Sequence, residues 1–262
     1  MRLPQHHSGL APSHAADKSQ TRVAFFGGSF DPPHLGHLAV ARAARAAFAL
    51  DAVLFAPVGM QPLKPEGPAA SFEDRLAMVR LAIAKEPGFE VSLIDAPKLP
   101  GSPGPAAASQ SGPNYTIETL QRLRAGLAPA STLFCLMGAD SFFGLRHWHR
   151  AAEIPFVAPL IVASRPGQPL EDLKCALPAD LALEPALEAA WSESGVEARA
   201  FVLANEAGMR TALYILPDLD VEISASEIRA QIQAAFANAA TQRDLLPKAV
   251  RDYIAKHKLY RE

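Results

Sequence analysis

The chain has 262 residues, 49% of them apolar, and a formal net charge of −2. That suits one large domain, or a domain with an insertion, around a sizeable core. The near-balanced charge, without a long basic run, excludes a main role in gripping a nucleic-acid polymer, and no apolar stretch approaches the roughly 18–20 residues that cross a bilayer.

In chain order, residues 1–20 lack the apolar centre of a signal peptide and are expected to form a disordered tail. The remainder, 21–262, is expected to be a single domain. TRVAFFGG, starting at Thr21, reads as a strand that ends in glycines, and HLAVARAARAAFAL follows it with helical periodicity. AVLFAPVG (52–59) is a second strand. SFEDRLAMVRLAIAKEP is a helix with Ser71 and Asp74 at capping-box spacing and Phe72, Leu76, Val79 and Ile83 on one face. FEVSLID (89–95) reads as a strand, 97–113 as a Pro/Gly/Ser loop, and YTIETLQRLRAGL (115–127) as a helix. STLFCLMGAD (131–140) is a strand running into a glycine turn; VAPLIVASRPG (157–167) and TALYILP (211–217) are two more strands. Residues 168–205, rich in Ala and Glu, are expected to be a helical insert packed down by Trp191. The two cysteines, Cys135 and Cys175, cannot form a disulfide framework, so a reducing cytoplasm is expected.

Strands alternating with helices predict an α/β fold: a doubly wound, Rossmann-like parallel sheet with helices on both faces. Ligands of such sheets sit beyond the carboxyl ends of the strands, where the strand order reverses. Both glycine turns, at 27–37 and 138–140, fall at such ends.

The first turn, GGSFDPPHLGH, is dense in special residues. Gly27 and Gly28 let a polyphosphate approach the backbone, Pro32 and Pro33 stiffen the turn, and Pro33 suits a first helical position. His34 and His37 fall on one helical face, with Gly36 between them leaving room for a ligand. The string fits a structural turn, a zinc pair lacking a third ligand, or a phosphate cradle at a helix start. ISASEIR (223–229) is either an ordinary capped helix or a second phosphate grip. In it Ser224 and Glu227 are spaced as a capping box, and Ser226 and Arg229 share a face near the positive end.

GSFDPPHLGH resembles the signature of the HxGH nucleotidyltransferase superfamily, and ISASEIR resembles that superfamily's ISSTxIR element. The Walker A and GxGxxG patterns are absent. NYTIETL (114–120), GADSFFGLRHWHR (138–150), LIVASRPG (160–167) and the closing LPKAVRDYIAKHKLY are similar to elements of the bacterial nicotinate-nucleotide adenylyltransferase family. The resemblance covers roughly 22–166 and 211–260.

It implies transfer of the adenylyl group of ATP to nicotinate mononucleotide, with Mg²⁺ accompanying ATP and no metal held by the protein itself. It implies His34, His37 and Arg229 as catalytic residues. Gly27, Gly28, Ser29, Phe30, Gly36, Gly138, Asp140, Ser224 and Ser226 would bind ATP. Asp31, Lys64, Tyr115, Thr116, Trp148 and His149 would bind the acceptor, although Leu63 stands where the family often has a histidine. An indole face suits a flat cationic ring. Trp148 in the core, and Tyr115 and Thr116 as a plain helix start, remain the alternatives. Expected partners are the two small substrates, with no nucleic acid and no membrane; a homo-oligomer stays open. Rival readings are an adenylyltransferase for nicotinamide mononucleotide or phosphopantetheine, a nucleotide-sensing module without turnover, and a metal-binding protein.

Overall fold

A computed structural model describes residues 20–62, 67–97, 113–164, 170–191, 198–216, 223–237 and 245–261. The tail up to residue 19, Lys64 with Leu63, and most of the 97–113 loop lie outside the described residues. RVAFFGG forms β1 (Arg22–Gly28), followed by α1 (Leu35–Ala47), β2 (Ala52–Pro57), α2 (Phe72–Ile83) and the short β3 (Phe89–Val91). Then come α3 (Thr116–Gly126), β4 (Thr132–Gly138) and α4 (Ala139–Phe143). Two 3₁₀ turns lead into α5 (Ile154–Val157) and β5 (Leu160–Ala163). The chain continues through α6 (Leu170–Ala176), β6 (Leu181–Trp191), β7 (Ala198–Asn205) and β8 (Arg210–Leu216) to α7 (Ala225–Ala237) and α8 (Lys248–His257).

One sheet runs in the order β3-β2-β1-β4-β5-β8-β7-β6. Pairing is parallel from β3 to β8, and β7 and β6 extend the sheet antiparallel. The strand order reverses between β1 and β4, as the doubly wound expectation requires. The central strands are buried on both faces, which explains their unbroken apolar runs. Ala24 and Phe26 of β1, with Phe134 and Leu136 of β4, face a layer of α1, α2, α7 and α8. Val23 and Phe25, with Leu133, Cys135 and Met137, face a layer of α3 to α6.

The expected helical insert at 168–205 is corrected: among its described residues α6 is helical, whereas Leu181–Trp191 and Ala198–Asn205 pair as the β6–β7 extension. Helix propensity of Ala and Glu loses to a period-2 pattern, because Leu181, Phe201 and Leu203 alternate into the core below the sheet. Pro185 would break a helix interior, yet it is tolerated in β6, the edge strand. Trp191 ends that strand.

Two smaller expectations also shift. Ser71 caps α2 by accepting from the Asp74 N–H at 3.0 Å, but its hydroxyl donates to the Asp74 carboxylate at 2.7 Å, so the reciprocal half of a capping box is replaced. The buried face of α2 is Arg75, Met78, Val79, Ala82 and Ile83, a stripe that carries a charged residue.

Candidate active site

At the carboxyl ends of β1, β4 and β5 lies a cavity of about 350 Å³. Gly27, Gly28, Ser29, Phe30 and Asp31 line one wall, with His34, Gly36 and His37 at the start of α1. Gly138 and Asp140 line it beyond β4, and Ser224, Ser226 and Arg229 close it from the start of α7. The structure thus gathers every residue expected at the ATP side, from segments some 200 positions apart.

The local reasons differ from those the string suggests. A Cβ on Gly27 would lie 2.6 Å from the Phe25 ring, so glycine there makes room for that ring as well as for a ligand. Phe30 takes a left-handed backbone (φ 49°), which turns its ring inward against Phe26 and His37, at centroid distances of 5.6 and 5.0 Å. Helix α1 starts at Leu35 with His34 as N-cap, so Pro33 precedes the cap instead of opening the helix.

The two histidine rings lie 3.7 Å apart. The His34 backbone N–H donates to Nδ1 of His37 at 3.1 Å. That nitrogen therefore carries a lone pair, and the proton of neutral His37 sits on Nε2. Burial pushes the pKa of His34 down to about 4, and burial together with His34 beside it pushes His37 well below 6.5. Both rings are neutral at pH 7. Nδ1 of His34 is buried without a hydrogen-bond partner among the described residues, so the pair holds polar capacity beyond its internal bonds.

Arg229 donates from Nη1 to the Asp31 carbonyl at 2.7 Å and from Nη2 to Ser226 Oγ at 3.3 Å. The Asp31 carboxylate, 4% exposed, accepts from the Ala69 N–H at 2.7 Å, the Ala70 N–H at 3.1 Å and the Tyr260 hydroxyl at 2.7 Å. These bonds add a structural duty to a residue expected only on the acceptor side. Arg75, 1% exposed, donates to the carbonyls of Ser29, Val58 and Ala70 at 2.6, 2.9 and 3.3 Å. Neither Arg75 nor Tyr260 was expected from the sequence. The available signal was an arginine on the apolar stripe of α2.

Of the described residues expected at the acceptor side, Asp31 lines this cavity, whereas Tyr115, Thr116, Trp148 and His149 do not. Tyr115 and His149 come together, rings 4.3 Å apart, with Tyr115 half-buried and His149 exposed. Half-buried Trp148 packs against the lower core. Thr116 opens α3, where the first backbone N–H groups have no intrahelical acceptor. Asn114 exchanges two 3.1 Å bonds with the backbone of Met60, tying the start of α3 to the loop after β2. That loop leads to Lys64, which lies outside the described residues, while its neighbours Gln61, Gly67 and Pro68 line the cavity.

The buried imidazoles have a measurable consequence. Below pH 6.5 the unfolded chain binds a proton that folded His34 refuses until about pH 4, so stability falls across that window and is unaffected by this group above it. His34→Gln should flatten the loss of stability from pH 7 to pH 4 by up to about 3 kcal/mol in urea unfolding. Curves parallel to the wild type would show that the ring is hydrated enough to titrate normally.

The sequence pattern of the cytidylyltransferase-like family matches residues 25–231. A Stenotrophomonas maltophilia protein named "Probable nicotinate-nucleotide adenylyltransferase" is 39% identical over 90% of this chain and 96% of its own. A Dechloromonas aromatica protein of the same name is 36% identical over 91% and 97%. The structure of Plasmodium falciparum nicotinic acid mononucleotide adenylyltransferase complexed with NaAD shares the fold, with a TM-score of 0.59 at 16% identity over 92% of this chain and 98% of that one. The chain belongs to the cytidylyltransferase-like family and, within it, to the nicotinate-nucleotide adenylyltransferases.

Proposed function

We propose that the chain transfers the adenylyl group of ATP to nicotinate mononucleotide, giving nicotinate adenine dinucleotide (deamido-NAD) and pyrophosphate, a step of NAD biosynthesis. The observation that carries this reading is the buried neutral His34–His37 pair, with a fixed Nε2–H on His37, in one cavity with Arg229. Neutral imidazoles and a guanidinium suit a polyphosphate that brings its own negative charge.

The reaction is an in-line displacement. A 5′-phosphate oxygen of the acceptor forms a bond to the α-phosphorus as the bond from that phosphorus to the β-bridging oxygen breaks, and the electron pair leaves with pyrophosphate. The acceptor phosphate is already an anion, so no general base is needed. His37 donates from Nε2 to an α-phosphate oxygen, and its depressed pKa keeps the second nitrogen from charging. Arg229 and Ser226 hold the leaving phosphates. Alignment of this kind is worth roughly 7–11 kcal/mol of barrier lowering.

Mg²⁺ would enter here as a companion of the triphosphate, with Asp140 on the cavity wall. When bound, it would neutralise phosphate charge. On the acceptor side we assign Trp148 to the nicotinate ring and Thr116, His149 and Lys64 to its carboxylate and phosphate. Among the described residues no helix is long and apolar enough to cross a membrane.

Pyrophosphate release with Mg²⁺–ATP should be strongest with nicotinate mononucleotide, compared with nicotinamide mononucleotide and phosphopantetheine. Release with another acceptor would keep the cradle and overturn the acceptor assignments, whereas ATP binding without any release would favour a sensing module. His37→Ala should lower kcat by roughly 100- to 1000-fold while changing KM for ATP far less; a kcat near wild type would remove the imidazole from the chemistry. Trp148→Ala should raise KM for the mononucleotide by about tenfold, in line with the loss of one stacked ring. An unchanged KM would assign the indole to the core alone.

A further inference from the structure

Tyr260 lies near the end of the chain, far in sequence from the cavity, and two left-handed residues bring it there. Helix α8 stops at Lys258 (φ 57°), with the Leu259 N–H returning to the Ile254 carbonyl at 3.1 Å. Tyr260 is itself left-handed (φ 61°), a conformation that costs free energy in a residue with a side chain, and the residue is 9% exposed. What this arrangement secures is one contact: the phenol donates to Oδ1 of Asp31 at 2.7 Å. Burial beside that carboxylate pushes the phenol pKa up, so Tyr260 remains the donor.

The other carboxylate oxygen, Oδ2, lies 3.8 Å from Nη1 of Arg229, and the same nitrogen donates to the Asp31 carbonyl at 2.7 Å. Arg229 is therefore placed between two claims: the anion behind it and whatever anion enters the cavity. A carboxylate fully supplied with donors competes less for the guanidinium. We propose that Tyr260 is a positioning residue for the triphosphate grip: its hydroxyl satisfies the Asp31 carboxylate, so that Arg229 stays oriented by the Asp31 main chain and available to phosphate. This rests on the adenylyl-transfer reading only in taking ATP as the ligand of the cavity.

Tyr260→Phe keeps the ring and removes the hydroxyl, and calorimetric binding of Mg²⁺–ATP to the full chain reads the effect without turnover. In a cycle of wild type, Tyr260→Phe, Arg229→Gln and the double variant, the hydroxyl's loss should weaken ATP about tenfold when Arg229 is present and less than twofold when it is not. KM for nicotinate mononucleotide should not move. A parallel cycle with Asp31→Asn should likewise reduce the effect of Tyr260→Phe to less than twofold, because the competing charge is gone. Equal losses in both backgrounds, or a lowered Tm with unchanged ATP affinity, would overturn the proposal and leave Tyr260 a plain anchor of the chain end. Pyrophosphate release by the wild type tests the reaction separately: no release alongside intact coupling would overturn adenylyl transfer while upholding the role of Tyr260.

Discussion

A carboxylate held 4% exposed inside a protein must be supplied with donors, since burying an unmatched charge costs several kcal/mol. Asp31 meets that demand with parts of the chain 38, 39 and 229 positions away. Through its carbonyl it also orients Arg229, 198 positions away. The Ala69–Ala70 segment it holds leads into α2, which delivers Arg75 to the carbonyls of Ser29 and Val58. The glycine turn is thus clasped from both sides, by an anion within it and a buried cation beneath it. Removing one partner from such a buried set leaves a charge without compensation, a loss of roughly 3–5 kcal/mol.

With the turn fixed, the electrostatics of the cavity follow. The starts of α1 and α7, each 13 residues long, converge on it, and each carries the partial positive charge of a helix N-terminus. Two charged imidazoles 3.7 Å apart would repel each other and the helix dipole; two neutral ones do not, and still present donors. Burial that lowers both pKa values therefore suits the proposed chemistry, in which the groups need no reorganisation when an anion arrives. The ring of Phe30, turned inward by its left-handed backbone, supplies part of that burial.

The order of strands and helices around the parallel sheet was legible because strands covered on both faces are continuous apolar runs, and because GGSFDPPHLGH and ISASEIR concentrate their chemistry in a few adjacent positions. Within 168–205 the stretches that form β6 and β7 were misread because Ala and Glu carry a helix propensity that a period-2 pattern and strand pairing override. Arg75 and Tyr260 escaped for a different reason. Their partners are backbone carbonyls and one carboxylate brought near only by the fold, and no spacing along the chain encodes that. The Asn114–Met60 bonds are of the same kind.

The two halves of the site are built to different standards of rigidity. The half assigned to the phosphates hangs from buried residues, Arg75, Asp31, Phe30 and Tyr260, each less than a tenth exposed. The half assigned to the acceptor sits on half-buried or exposed side chains, with Met60 at 56% exposure beside Asn114 and His149 open to solvent above Tyr115. Substitutions in the first half disturb packing and buried charge together, and on the proposed assignment would act on the reacting phosphates. Substitutions in the second change loop contacts worth one or two hydrogen bonds, which is the scale on which an enzyme tells an acid from its amide. A fold organised this way can vary its acceptor without dismantling the machinery that moves the adenylyl group.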